Sequence, residues 1–424
     1  MRIVGDFHIH SPYARAVSKD MTLENLDHWA RLKGITVMGT GDFTHPKWIR
    51  EIKTKLEPAE PGLYRLKQQY SLDKDMSEKR PVRFMLTVEI SSIYSKNGKT
   101  RRVHTLIFVP SIETAERINT KLGWEGNIKS DGRPILGLGA KEVAKIALEA
   151  DPRCFVVPAH AWTPWFSVFG SMSGFDSLEE CFEELTPHIK AIETGLSSDP
   201  EMNWQWSKLD HIALISNSDS HSLKRIGREA NVFNTELSYD GIIRAITSHD
   251  PSQFLSTIEF FPEEGKYHYD GHRVCQFSCH PSETKKLNNR CPKCEKAMTI
   301  GVLNRVAVLA DRPLGGKPER IIPFKRLVPL DEIIAESFDM GTSSKKVHAE
   351  YLKLTNRFDT ELVVLLDASR RDLEHTTSPD VVEGIIRVRE GRVRIHPGYD
   401  GEYGTVHIFD DDERRELQEQ ATLL

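Results

Sequence analysis

Seven short apolar runs mark roughly the first 260 residues: RIVGDF, ITVMGT, RFMLTVEI, VHTLIFV, CFVVPAH, IKAIET and IALISNS. Amphipathic stretches such as MTLENLDHWARLKG separate several of them, with Thr22 placed to cap a helix and Gly34 to stop it. Strands alternating with helices fold as a parallel α/β sheet or barrel. The polar residues that close the runs constrain the chain further. His8 and His10, Asp42 with His45, Glu89, His160, Glu193, and Asp219 with His221 all sit at or just past a run's C-terminal end. In strand-and-helix barrels those ends converge on one face, where active sites are built. One such ending says little, and a histidine pair near a chain start reads equally as a surface pair, an accident of position or a tag. Six endings that each carry a metal-ligand residue type are explained more economically by one polynuclear metal site than by scattered structural polar residues.

Local geometry adds to this. Residues two apart on an extended chain share a face, so His8 and His10 present their imidazoles side by side. The stretch TVEISSIYSKNGKTRRVHTLIFV carries Asn97-Gly98, a type I′ turn signal between two strands. A two-residue loop sets Ser91 opposite His104 and Glu89 opposite Leu106. Glu89 and His104 are then diagonal neighbours on one face, roughly 5–8 Å apart. Their apolar company argues against a polar surface ladder.

At 424 residues the chain is long enough for two or three domains. A hydrophobic content of 39% with 28% charged residues describes a soluble globular protein. No run approaches the roughly 20 apolar residues of a membrane span, which excludes a membrane partner. The first residues lack a charged-then-apolar leader, so a cytoplasmic location is expected. A net charge of −5 does not advertise nucleic-acid binding, although a carboxylate-rich site can hide basic surface elsewhere.

The motifs resemble the PHP (polymerase and histidinol phosphatase) family of metal-dependent phosphoesterases. DFHIHS is similar to its opening His-x-His motif, GTGDF with Asp42 to its second motif, and TVEIS with Glu89 to its bridging glutamate. VHTLIF with His104 and VVPAHA with His160 resemble its middle histidines, and SDSHS with Asp219 and His221 its closing Asp-x-His. The chain departs from the pattern twice. YARAV, with Arg15, stands where a third histidine is usual, and Asp42-Phe43 replaces Asp-His, with His45 nearby. The resemblance implies an α/β fold: a PHP-type distorted (β/α)7 barrel with an inserted or appended four-cysteine zinc module and a C-terminal α+β region. It also implies two or three divalent ions in the barrel, zinc, manganese or magnesium. One ion is expected on His8, His10, Glu89 and Asp219, and Glu89 would bridge to a second held by His104 and His160. Asp42, Glu193 and His221 are further ligand candidates. Glu89, Glu193 and Asp219 are the catalytic candidates, Glu193 as a group that orients water.

The second half narrows the resemblance. Cys275-x3-Cys279 and Cys291-x2-Cys294 form two thiolate pairs, which suit a closed structural zinc site, with His272 and His280 as alternative ligands. Lys285, Lys286, Arg290, Lys293 and Lys296 surround it, as phosphate contacts or as a solvated loop. This segment and the late HPGYDGEYG resemble the endonuclease Q branch of the family. That implies incision of DNA on the 5′ side of uracil, hypoxanthine, xanthine and abasic sites, leaving a 3′-hydroxyl and a 5′-phosphate. IIRVREGRVRI reads as a hairpin turning at Glu390-Gly391, placing Arg387, Arg389, Arg392 and Arg394 on one face for a polyanion, or as an ordinary exposed hairpin.

Base flipping would need aromatic partners. HAWTPWFSVFGSMSGF supplies Trp162, Trp165 and Phe166, and EMNWQWS supplies Trp204 and Trp206, with plain loop packing as the competing reading. Lys224, Arg225 and Arg228 are candidate phosphate grips, against a surface helix. Expected domains are a barrel over 1–262, a zinc module over 263–312, a C-terminal helical region with the hairpin over 313–405 and a charged tail over 406–424. In that tail Gln420 and Leu423 faintly resemble a sliding-clamp peptide. Expected partners are damaged DNA, double- or single-stranded, and the clamp, with a monomer as the default. Two rivals remain open: a small-molecule phosphatase of histidinol-phosphatase type, and a non-catalytic DNA-binding scaffold.

Overall fold

The computed structural model describes residues 1–73, 80–313 and 315–410. Its first part is an α/β barrel wall of mixed parallel and antiparallel strands. Arg2–Asp6 lies between a parallel neighbour, Val37–Gly39, and an antiparallel one, Ala230–Asn234. Val37–Gly39 runs parallel to Arg83–Lys96, which folds back on Lys99–Val109, and Phe155–Pro158 pairs antiparallel to that strand. Ala191–Glu193 and its parallel neighbour Ala213–Ile215 continue the wall, with the Ala161 N–H donating to the Glu193 carbonyl at 2.9 Å.

These strands are apolar on both faces because both are covered. Ile3, Phe7, Val37, Met85, Leu106, Phe108, Val157, Ile215 and Phe233 face one core. Val4, Met38, Phe84, Leu86 and Val88 face the other, where they meet Leu23, Leu26 and Ala30 of the helix Leu23–Lys33. That helix starts and stops where the sequence signals do: the Thr22 side chain accepts the Asn25 N–H, and Gly34 closes it at φ +93°. Gly39 is needed for the packing, since a Cβ there would stand 2.2 Å from the Phe7 carbonyl oxygen. The hairpin turns at Asn97-Gly98 with Ser91 opposite His104 and Glu89 opposite Leu106, the register of a two-residue loop.

The sheet continues through Phe254–Glu259, which takes Phe324–Arg326 as a parallel neighbour, Thr257 facing Phe324. The cysteine-rich segment is therefore an excursion between two hydrogen-bonded strands, with its own short pair Asp270–His272 and Phe277–Cys279. Helices Leu330–Ser337, Lys345–Arg357, Glu361–Leu366, Arg370–Glu374 and Pro379–Arg389 follow. The Lys33 ammonium meets the Glu361 carboxylate at 2.6 Å, both about 5% exposed, and ties them to the barrel. Arg394–His396 then pairs with Thr405–His407, past the expected start of the tail, while residues 411–424, with Gln420 and Leu423, lie outside the described residues. Among the described residues no helix is long and apolar enough to cross a membrane.

The expected arginine hairpin does not form. Pro379–Arg389 is helix, and buried Val381, Val382, Ile385 and Val388 recur along it at helical spacing, a longer stripe that overrides the local alternation. No arginine ladder results. Arg387 and Arg392 both reach Glu383, at 3.0 and 3.2 Å, and Arg394 pairs with Asp410 at 2.6 Å. Arg389 donates to the carbonyls of Val364, Leu365 and Ala368 at 2.6, 2.8 and 2.7 Å. It thereby satisfies groups left open where Glu361–Leu366 ends. Arg389→Ala is expected to lower the unfolding free energy by about 1–3 kcal/mol in a urea titration, whereas Arg394→Ala, on the exposed strand, should leave it nearly unchanged.

Candidate metal centre

The opening and closing motifs meet through the backbone. The His10 N–H donates to the Ser220 carbonyl at 3.1 Å and the Ser220 N–H to the His8 carbonyl at 3.3 Å, which sets Asp219 beside the histidine pair. Asp6, buried, holds the same loop: its carboxylate accepts the Ser218 and Gly227 N–H groups at 3.0 and 2.9 Å.

Two groups of side chains assemble around Glu89. His8 Nε2 lies 3.6 Å from both Glu89 Oε2 and Asp219 Oδ1, and His10 Nε2 lies 3.4 and 3.1 Å from the same two oxygens. Ligands about 2.1 Å from one tetrahedral ion stand roughly 3.4 Å apart, so these four atoms fit a single cation. His8 Nε2 is buried with no hydrogen-bond partner, and an ion would supply what it lacks. On the other side, Glu89 Oε1 lies 2.7 Å from His104 Nδ1 and 3.0 Å from His160 Nε2, which are 3.2 Å apart. The residues brought together thus form two cation-sized groups with one carboxylate between them.

Asp42 and Glu193 stand behind these groups. Asp42 Oδ1 is 3.0 Å from His10 Nδ1, and its Oδ2 accepts the Ser11 N–H and hydroxyl at 2.6 and 2.7 Å. Glu193 receives His8 Nδ1 at 3.0 Å, the His160 N–H at 2.8 Å and the Asn217 amide at 2.9 Å. Each carboxylate fixes its imidazole with Nε2 facing the cluster, an arrangement that raises ligand basicity. His221 lies outside both groups; its Nδ1 faces the Asp219 carbonyl at 2.8 Å and its ring sits edge-on to His10 at 4.7 Å. At the two positions where the family pattern is broken, Arg15 is exposed and His45 stacks on Tyr13 at 4.5 Å.

The local field is strongly negative. Burial opposes charge on His8, yet Glu193, Glu89 and Asp219 outweigh it and hold the imidazole well above its ordinary range. His10 behaves likewise: burial opposes its charge, and Asp42, Asp219 and Glu89 outweigh it. Burial would raise Glu89, but His104, Arg133 and His8 hold it well below the usual carboxylate range. Asp42, His160 and Asp219 adopt left-handed backbone at φ +49°, +30° and +45°. Such strain, about 1–3 kcal/mol per residue, persists where surrounding bonds enforce it.

Sequence reasoning missed Arg133. No motif contains it; it stands in the loop DGRP, and its Nη1 donates to Glu89 Oε2 at 3.0 Å. The aromatic and basic candidates separate clearly. Trp162 is fully buried, its Nε1–H donating to Asn203 Oδ1 at 2.7 Å among Phe169 and Trp206, so it cannot stack on a base. Trp204 and Trp206 are likewise buried. Trp165 and Phe166 remain half-buried, Phe166 with its ring 4.8 Å from that of His104. Arg225 pairs with Glu332, and Arg228 donates to the Ser218 carbonyl at 3.0 and 2.8 Å, so both brace the fold instead of offering free grips.

The cysteine cluster differs from the expected all-thiolate set. His272, Cys275, Cys291 and Cys294 bring their ligand atoms within 4.8 Å of one another. Cys279 is not among them; its Sγ lies 3.2 Å from the Thr284 hydroxyl. Two x2 spacings, His272 to Cys275 and Cys291 to Cys294, form the knuckles. Three thiolates and an imidazole still suit a closed tetrahedral zinc site.

Comparison with known proteins places this geometry. Residues 329–392 match a family described as the MJ0043 C-terminal domain. The crystal structure of the lesion-specific endonuclease PfuEndoQ from Pyrococcus furiosus is 32% identical with a TM-score of 0.84, over 97% of this chain and 96% of that one. An endonuclease Q in complex with a 27-mer duplex substrate with an abasic lesion at the active site is 32% identical with a TM-score of 0.83, over 97% and 98% of the two chains. The uncharacterised YqxK of Bacillus subtilis is 29% identical over 416 residues, 96% of this chain and 99% of that protein. The uncharacterised MJ0043 of Methanocaldococcus jannaschii is 31% identical over 255 residues, which spans 58% of this chain and 31% of that protein.

Metal analysis tests both clusters. Asp42→Asn and Glu193→Gln should each lower metal affinity of the barrel about 10–100-fold in a competition titration, without unfolding the chain. Because imidazoles must be unprotonated to bind, and the carboxylates around His8 and His10 hold their protons well above the ordinary imidazole range, the same affinity should fall as pH drops, and the fall should begin above that range. In the excursion, His272→Ala should release zinc and Cys279→Ala should retain it.

Proposed function

The chain belongs to the endonuclease Q family, and from that membership we propose that it is a metal-dependent DNA-repair endonuclease. It hydrolyses the phosphodiester on the 5′ side of deaminated bases (uracil, hypoxanthine, xanthine) and of abasic sites, leaving a 3′-hydroxyl and a 5′-phosphate. The observation that carries this reading is Glu89, whose two oxygens serve two cation-sized groups a carboxylate's width apart. Divalent ions there would make hydroxide available near neutral pH and stabilise attacking and leaving oxygens at phosphorus.

The chain's own residues do the rest. Asp42 and Glu193 keep the lone pairs of His10 and His8 turned inward. Burial opposes charge on Asp219, yet His8 and His10 pull it well below the usual carboxylate range, so it remains ionised at any working pH. A base lifted from the stack needs an aromatic surface, and the half-buried Phe166, beside His104, and its neighbour Trp165 are suited to it. Deaminated bases pair weakly, so lifting them costs less. The fully buried Trp162 has no part in this. The action is assigned to the cytoplasm, which fits six cysteines free of disulfides. A histidinol-phosphatase reading offers no reason for the zinc-binding excursion, and a decayed scaffold none for the bare, buried Nε2 of His8.

Labelled duplexes bearing one uracil, hypoxanthine, xanthine or abasic site, incubated with protein and manganese or zinc, should be cut once, 5′ to the lesion. His8→Ala and Glu89→Gln should slow cutting at least about 10²–10³-fold. Phosphate release from histidinol phosphate with intact duplexes, or gel retardation without cutting, would overturn the proposal.

A further inference from the structure

Arg133 occupies a position that the metal groups alone do not explain. Its Nη1 shares Glu89 Oε2 at 3.0 Å, the oxygen that also faces His8 and His10, so the guanidinium borders the first cation-sized group directly. Among the described residues it is the arginine or lysine that pairs with a cluster carboxylate. Its guanidinium makes no other hydrogen bond among the described residues, and its side chain is 26% exposed, so donors remain for a further acceptor. The arginines Arg225 and Arg228 are already committed to Glu332 and to the Ser218 carbonyl.

The loop that carries Arg133 is pinned on every side. The Gly132 N–H donates to the Tyr13 carbonyl at 3.1 Å, and the Ser91 N–H to the Pro134 carbonyl at 3.0 Å. Asp131 Oδ1 accepts the N–H groups of Arg15 and Arg133 at 3.3 and 3.0 Å. Gly132 is pressed onto Asp42 so closely that a Cβ would stand 2.3 Å from Asp42 Oδ2. The guanidinium is thus held in place before any substrate arrives. Arg15 and Phe43, the residues at the broken family positions, bring no ligand to the cluster, and the fixed charge beside it is Arg133.

We propose that Arg133 is a catalytic residue of this nuclease, bridging Glu89 to a non-bridging oxygen of the scissile phosphate. This rests on the phosphodiester-cleavage reading above. In that reaction water forms the new bond to phosphorus and gives its proton to solvent. The bond to the 3′ oxygen breaks, and that oxygen keeps the electron pair and takes up a proton. Negative charge gathers on the non-bridging oxygens as the bonds exchange, and a pre-placed guanidinium stabilises it without taking part in proton transfer. Lysine, a point charge, cannot span both oxygens as the planar fork does.

The test measures single-turnover cutting, DNA affinity and bound metal for the wild type, Arg133→Lys, Arg133→Gln and Arg133→Ala. Arg133→Gln should cut about 10²–10³-fold more slowly, with metal content and DNA affinity within about twofold of wild type. Arg133→Lys should recover part of the rate, and added guanidinium should partly rescue Arg133→Ala. If Arg133→Gln cuts as fast as wild type, or if its metal falls in step with its rate, Arg133 is no phosphate ligand and the proposal is overturned. A wild type that cuts no lesion-bearing duplex overturns the nuclease reading and this one with it.

Discussion

Burying several charges of one sign together is the constraint on which the rest of the structure depends. Asp42, Glu89 and Glu193 are 0–1% exposed, and His8 and His10 are equally buried. Carboxylates removed from water repel one another and lose hydration, a cost of several kcal/mol per ion unless positive charge is supplied. Imidazoles, the Arg133 guanidinium and cations supply it. The strand order that brings residues 8, 89, 160, 193 and 219 to one place, and the left-handed backbone at Asp42, His160 and Asp219, are what the fold tolerates to keep those charges together.

The parts legible in the sequence were those set by short-range rules. Apolar runs closed by polar residues located the barrel strands, and Asn97-Gly98 alone specified the hairpin register that puts Glu89 and His104 on one face. Thr22 and Gly34 bounded a helix as their chemistry dictates. Errors arose where a short window carried two periods. IIRVREGRVRI alternates like a strand, yet from Pro379 onward the apolar stripe repeats at helical spacing and wins. Trp162 could not be told from an exposed loop tryptophan, because its partners Asn203 and Trp206 lie some forty residues away. Arg133 had no motif around it, and only the tight turn Asp131-Gly132 hinted that the loop was held. His272 was discounted beside four cysteines, although its spacing to Cys275 repeats that of Cys291 to Cys294.

The parts beyond the barrel are joined to it by strand pairing and by ion pairs, of which Lys33 with Glu361 is buried. The excursion that carries the cysteine cluster leaves and rejoins one sheet at Phe254–Glu259 and Phe324–Arg326, so its ends are fixed by strand pairing. The later helices rest on the barrel through Lys33 with Glu361 and Arg225 with Glu332. Arginines that look like a polyanion grip in one dimension instead close helix ends and bridge elements.

One carboxylate serving two cations has a consequence for how the centre fills. Glu89 is already held by Arg133, His104 and His160 with one oxygen toward each group, so ions taken up on the two sides would share a single carboxylate. A cation on either side would draw on the one negative charge that the other side also uses.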